Sequence, residues 1–293
     1  MSGALPGWGQ GMKFDWYQAT VAEDPGVLVG ELMQRLAPDG RIEEGPGRHN
    51  YHQSFTLKRA DGNRAALILC GGPNGNPNAT ASGDGCEDFV TVLREGWPEH
   101  RVTRVDSCED FTGEGAYDRL EGVCRAITAG EGIKGRAIVP DALEDGRTYY
   151  MGAATSDVRA RLYDKAAEVR RHVAPAVLLS IPSHWARLEV QVRPRKEWKG
   201  AVAHLAAEQV WGFSTWTGRL AVEALALDVE RLAMRVGREP SEERALRFML
   251  RQYGGSLERL HAAEGSWARV GVALGERLEK YRAFDKRVGG ERK

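Results

Sequence analysis

Residues 101–111 read Arg101-Val102-Thr103-Arg104-Val105-Asp106-Ser107-Cys108-Glu109-Asp110-Phe111. In an extended strand, alternation puts Arg104, Asp106, Cys108 and Asp110 on one side. Two further stretches repeat the pattern. Residues 187–193 set Arg187, Glu189, Gln191 and Arg193 on one face and Leu188, Val190 and Val192 on the other, while residues 161–165 align Arg161, Tyr163 and Lys165. An antiparallel sheet with one packed and one polar face accounts for all three. The polar face then has two readings: a solvated surface laced with cross-strand ion pairs, or a surface that carries chemistry.

Outward from these strands, the chain predicts an α+β fold, a mostly antiparallel sheet with helices on one face, followed by a helical C-terminal region. A strand is expected over Met12–Val21. Asp24-Pro25 opens a helix whose apolar residues are Val27, Leu28, Leu32 and Leu36. Strands follow near 50–57 and 64–70 around the turn signal Asp61-Gly62, and residues 71–85 read as a Gly/Asn/Pro-rich loop. Helices are predicted near 87–95, 116–129 and 165–171, with further strands near 133–139, 148–152 and 160–163. We divide the chain into a domain at 12–195 and a helical region at 196–293. In the latter, Leu225, Val229, Leu232 and Val236 form one stripe, Pro240-Ser241 starts a helix ended by Gly254-Gly255, and Trp267, Val270, Leu274, Leu278 and Tyr281 form a last stripe.

Forty-one basic residues balance 41 acidic ones, so the formal net charge is zero, yet the charge is unevenly spread. Residues 84–145 hold fifteen acidic and seven basic residues, whereas 158–199 hold ten basic and four acidic. Cys70, Cys86, Cys108 and Cys124 include no Cys-x-x-Cys pair, which argues against structural zinc and for reduced, buried thiols. The Gly-rich N-terminus, with Gly7, Gly9 and Gly11, reads as a flexible tail and not a signal peptide. The longest apolar stretch, around 174–181, is far below the ~20 residues of a membrane span. A cytoplasmic protein without membrane contact is the expectation.

The second reading of the polar face follows from residue chemistry. Converging carboxylates bind a hard divalent cation such as Mg²⁺ or Mn²⁺. Arginines grip phosphate through paired hydrogen bonds, and a tyrosine beside cations is a potential nucleophile. Together these point to phosphoryl transfer on a nucleic-acid backbone. Tyr149 and Tyr150 rival Tyr163 as nucleophile on spacing alone. His49 and His52 are a weaker metal candidate. Residues 71–85 lack the Gly-Lys-Ser/Thr of a P-loop.

Arg161-Leu162-Tyr163-Asp164-Lys165, preceded by Tyr149-Tyr150-Met151-Gly152 and Ser156-Asp157, resembles the replication initiation factor family. These are the rolling-circle initiators of plasmids and filamentous phages, with relatives among conjugative-transposon relaxases. Phe14-Asp15-Trp16 resembles its opening strand and Ser82-Gly83-Asp84-Gly85-Cys86 its loop into a helix. Thr103-Arg104-Val105-Asp106, with Asp110 beyond, resembles its acidic strand, and Arg187-Leu188-Glu189-Val190-Gln191 its closing strand. The five motifs occur in family order over about residues 12–198.

The resemblance implies a DNA nicking–joining enzyme. Tyr163 would attack an origin phosphodiester and become linked to the 5′ phosphate, leaving a 3′-OH primer. Asp106 and Glu189 would hold the divalent ion, Mg²⁺ or Mn²⁺, with Asp110 as a third candidate. Lys165 would assist catalysis, and Arg104, Arg161, Arg187 and Arg193 would contact DNA. Implied partners are origin DNA, single-stranded or supercoiled duplex, a second copy of the chain as a homodimer, and a host helicase. A mobilisation relaxase or a non-catalytic DNA-binding regulator are the alternatives. None of the seven histidines forms the His-x-His spacing of another nickase class.

Overall fold

The computed structural model describes residues 11–140, 145–227, 229, 232 and 241–289. Gly7, Gly9, Val236 and Pro240 lie outside them, as does the side chain of Tyr281. The chain divides into two compact units, Met1–Met234 and Arg235–Lys293.

The first unit is built on ten antiparallel strands: β1 (Lys13–Thr20), β2 (Arg41–Pro46), β3 (Gln53–Lys58), β4 (Arg64–Cys70), β5 (Asn78–Ser82), β6 (Arg101–Thr112), β7 (Gly135–Ile138), β8 (Thr148–Met151), β9 (Val158–Asp164) and β10 (Trp185–Val192). Their order is β2-β3-β4-β5-β1-β6-β10-β9-β8-β7. The three strands with a polar face thus lie side by side. β10 pairs with β6 (Arg187 opposite Asp110, Gln191 opposite Asp106) and with β9 (Arg187 opposite Tyr163, Glu189 opposite Arg161).

Helices α1 (Pro25–Leu36), α2 (Cys86–Gly96), α3 (Ala116–Gly130), α5 (Trp198–Ala201) and α6 (Thr215–Leu225) cover the other face, while α4 (Lys165–Arg170) continues from the end of β9 and lines a cleft on the polar side. The α1 start follows its cap: Asp24 accepts from the Gly26 and Val27 amides at 2.8 and 3.2 Å. Its buried residues are Leu28, Val29, Leu32 and Leu36, while Val27 is exposed. The core joins Tyr17, Leu28, Leu32, Phe89, Leu93, Phe111, Leu120, Ile127, Leu162, Leu188, Val190, Trp211 and Phe213. Each fully buried large side chain contributes about 1.5–3 kcal/mol. All four cysteines are free and buried.

Two strands depart from the sequence reading. β2 has one bulky apolar residue, Ile42, among charges and a proline; it is an edge strand, where such residues are tolerated. β5 lies inside the stretch read as a loop. Its Asn78-Ala79-Thr80-Ala81-Ser82 is small rather than apolar because it is wedged between β4 and β1. His49 and His52 are exposed beside β3, with His49 and Asn50 at positive φ.

The boundary expected at 195/196 also shifts. Residues 198–225 pack into the sheet unit, where Trp211 is fully buried and donates Nε1 to the Ser107 hydroxyl on β6 at 2.9 Å. A linker-like change in composition at 195 marks a change from strand to helix within one core, not the end of that core. The second unit contains α7 (Ser241–Glu264) and α8 (Trp267–Gly289), joined at Gly265 with φ 74°. Gly254-Gly255 does not end α7, because an interior glycine costs only about 1 kcal/mol against alanine and neighbouring turns continue. Among the described residues no helix is long and apolar enough to cross a membrane.

Trp211→Ala is expected to cost about 3–5 kcal/mol, read as a lower urea midpoint. A chain ended after residue 195 is expected to bind a hydrophobic dye and lose cooperative unfolding, whereas one ended after 234 retains it.

Candidate functional site on the polar sheet face

Cys108 lies near the centre of the polar face, small and fully buried, with four carboxylates around it on three strands. Asp106 and Asp110 come from β6, two residues to either side. Glu189 comes from the directly opposed position of β10, and Asp15 from β1. Asp15 reaches this face through a bulge: the β1–β6 register shifts between Phe14 and Trp16. Phe14 and Tyr17 enter the core, while Asp15 contacts Arg187 on the polar side. The apolar spacing of three between Phe14 and Tyr17, then two to Ala19, is the sequence trace of that extra residue. Period-two alternation alone does not put Asp15 on the polar face, because the bulge interrupts it there.

The carboxylates are held differently. Asp110 accepts two parallel bonds from Arg187, Nε to Oδ1 and Nη2 to Oδ2, both at 2.7 Å, and a third from Trp185 Nε1 at 2.8 Å. Burial alone would raise its pKa, but the Arg187 fork and the Trp185 donor hold the carboxyl below its ordinary value. Arg187 spends its remaining nitrogen, Nη1, on Asp15 at 2.6 Å. Asp110 is therefore drawn into a neutralised cluster away from the other pair.

Asp106, 1% exposed, accepts from Arg104 Nε at 2.9 Å, from Arg104 Nη2, and from Gln191 Nε2 at 3.2 Å. Glu189, 2% exposed, accepts from Arg161 Nε and Nη2 at 3.0 and 2.9 Å, both on the same oxygen, Oε2. Burial first, and then the charge of Asp106, push the Glu189 carboxyl up to about 8; Asp15 adds to the effect and Arg161 opposes it. Glu189, Asp106 and Asp15 are thus electrostatic neighbours whose mutual repulsion the arginines do not fully cancel. Oxygen donors in that state suit a hard divalent cation. Among the described residues no three or more His, Cys, Asp or Glu side chains are drawn together as a ready metal cluster. The fit is therefore to the Asp106–Glu189 pair, with both Asp15 and Asp110 committed to Arg187.

Tyr163 lies on β9 opposite Arg187 and Thr148. It is 5% exposed, and its hydroxyl is buried without a hydrogen-bond partner. A buried hydroxyl normally finds a partner. Burial raises its pKa, as does Glu189, while Arg161 and Arg187 act to lower it. The Arg161 guanidinium stands 4.5 Å from the ring centroid, and Lys165 Nζ stands 5.7 Å away. Lys165 also pairs with Glu168 at 2.5 Å.

Two clefts flank this tyrosine. One, of about 220 Å³, is lined by Arg161 and Glu189; the other, of about 480 Å³, by Lys165, Arg187 and Asp110. Tyr149 points to the helix side, where it bonds the Thr128 hydroxyl at 2.9 Å, so it is no rival. Tyr150 shares the polar face and lines the first cleft. Cys108, its thiol pKa raised by burial, is an inert spacer.

No protein-family model and no curated protein matches the chain. Its structure is similar to that of a rolling circle replication initiator protein from Geobacillus stearothermophilus. The TM-score is 0.48 and the identity 19%, covering 79% of this chain and 91% of that one.

The proton on Glu189 is bound more tightly in the folded chain than in the unfolded one. The associated stability is complete below the ordinary value of 4.5 and is lost as pH rises through about 8. In chelator, thermal midpoints of the wild type should fall across that window, and those of Glu189→Gln should fall less. Equal slopes would mean that Glu189 is ionised throughout.

Proposed function

We propose that this chain is a DNA nicking–joining enzyme that initiates rolling-circle replication, with Tyr163 as nucleophile. The observation that carries the reading is the Tyr163 hydroxyl, buried and unpartnered within the field of Glu189 and ringed by Arg161, Arg187 and Lys165. The five family-like motifs, in order along residues 12–198, support it. Four of the five contribute residues to the one polar face.

The chemistry is a transesterification. Tyr163 Oη forms a bond to phosphorus as the bond from phosphorus to the 3′ oxygen breaks. The tyrosine gives up its proton, the released 3′ oxygen takes one up, and the 5′ phosphate stays on the enzyme. The ester conserves the energy of the phosphodiester, so the strand is rejoined by the reverse step. A buried tyrosine is a poor nucleophile until its developing charge is stabilised. Arg161 and Arg187 do this by proximity, and Arg161 also packs on the ring and fixes its direction. Lys165 meets the phosphate from the α4 side. A divalent ion held by Asp106 and Glu189, when bound, would polarise the phosphate oxygens.

With supercoiled origin DNA and Mn²⁺, wild type is expected to nick and remain covalently attached, and Tyr163→Phe to form no adduct. Asp106→Ala and Glu189→Ala should lower cleavage roughly 10²- to 10³-fold while retaining DNA binding. An adduct in the Tyr163→Phe variant would remove Tyr163 from the mechanism. A chain that binds the origin and never cleaves it would be a regulator. Binding of the ion has its own readout. Mn²⁺ should raise the thermal midpoint more at pH 8 than at pH 6, because its ligands must be deprotonated, and Glu189→Gln should show little response.

A further inference from the structure

Among the described residues, three buried side-chain polar atoms lack a hydrogen-bond partner: Trp16 Nε1, Arg159 Nε and Tyr163 Oη. All three belong to the polar face, and the reaction accounts only for the last. Arg159 lines the smaller cleft with Arg104, Arg161, Arg193, Tyr150 and Gln191. Trp16 supports one of these side chains, with the Arg104 guanidinium 4.3 Å from its ring centroid.

The four guanidiniums differ in their commitments. Arg104 is paired with Asp106 and Arg161 with Glu189. Among the described residues, Arg159 and Arg193 pair with no carboxylate. Arg159 rests against the Tyr150 ring, 5.6 Å from its centroid, and Arg193 makes only a 3.5 Å contact to the Ala154 carbonyl. Burial, and then the charges of Arg104 and Arg159, make the Arg193 guanidinium easier to deprotonate. Like charges crowded in a cleft, with a buried donor left over, describe an anion site.

Resting on the DNA reading above, we propose that this cleft holds a second phosphodiester of the same single strand whose scissile phosphate meets Tyr163. Arg159 and Arg193 supply its charge, and Trp16 and Tyr150 set the directions of the arginines. Arg159 and Tyr163 share a face of β9 four residues apart, about 13 Å at strand rise. That is the span of a few nucleotides of an extended strand, so one strand lying along β9 reaches both. The cleft thereby fixes where along the strand the scissile bond falls, which a single phosphate contact does not do.

The test is binding of fluorescent (dT)12 in chelator, so that no cleavage occurs, across a series of salt concentrations. Arg159→Met and Arg193→Met should each bind several-fold more weakly at low salt. Each should also reduce the slope of log affinity against log salt by about 0.7, the release expected for one phosphate contact on a single strand. Arg35→Met, which removes an exposed arginine paired with Glu95, should change neither. Arg193, whose side chain makes no buried hydrogen bond, tests the cleft if the Arg159 variant folds poorly. Unchanged slopes in both variants, an equal loss in Arg35→Met, or mononucleotide dTMP binding as tightly as (dT)12 would each overturn the proposal. Failure of nicking with the slope changes intact would defeat the Tyr163 assignment and leave this subsite standing.

Discussion

The Arg187 guanidinium is the interaction on which the polar face depends. It sits buried at the middle of the sheet, forks onto Asp110 and turns its third nitrogen to Asp15, so that one side chain ties β10 to β6 and to β1. Desolvating an arginine and two carboxylates is costly, and removing one member of such a set typically costs 3–5 kcal/mol because the others remain buried and unpaired. The arrangement therefore fixes the register of the three central strands as firmly as the apolar residues on their opposite sides. On the other side of β10, the pairing with β9 places Tyr163 opposite Arg187 and Glu189 opposite Arg161.

Compensation is deliberately uneven across the face. Around Arg187 every charge has a partner. Around Glu189 the carboxylates outweigh the arginine that reaches them, and around Arg159 the arginines outweigh the carboxylates. Both imbalances line the one cleft toward the start of β9, with Glu189 at the register position nearer Tyr163 and Arg159 one pair further along. A cation is called for at the nearer position and an anion at the farther one, which is the electrostatic requirement for handling a phosphate backbone with a metal. The even formal charge of the chain is the sum of these local surpluses.

The three polar strips were readable because a half-buried strand alternates with period two, and each strip kept that period over several residues. Tyr163, Asp106, Glu189 and the arginines follow from it. Asp15 did not, since a one-residue bulge breaks the alternation just where it enters the site. β5 was hidden because a strand squeezed between neighbours uses alanine, serine and threonine, which carry no hydrophobic signal. The helices after residue 195 looked like a separate region because a change from strand to helix in the sequence does not say which surface the helices cover. Trp211 closing over Ser107 on β6 decides that question.

The sequence by itself determined that this protein has an antiparallel sheet with one chemical face, and which residue types stand on that face, because periodicity is a local property of the chain. The tertiary structure alone decided which carboxylates are spent on arginine and which remain unbalanced. It sent Asp110 to Arg187, left Glu189 beside Asp106, turned Tyr149 into the core and, among the described residues, left Arg159 without a carboxylate. Those outcomes depend on cross-strand register and burial. Both arise from contacts between residues far apart in the chain, whose pairing no local pattern records.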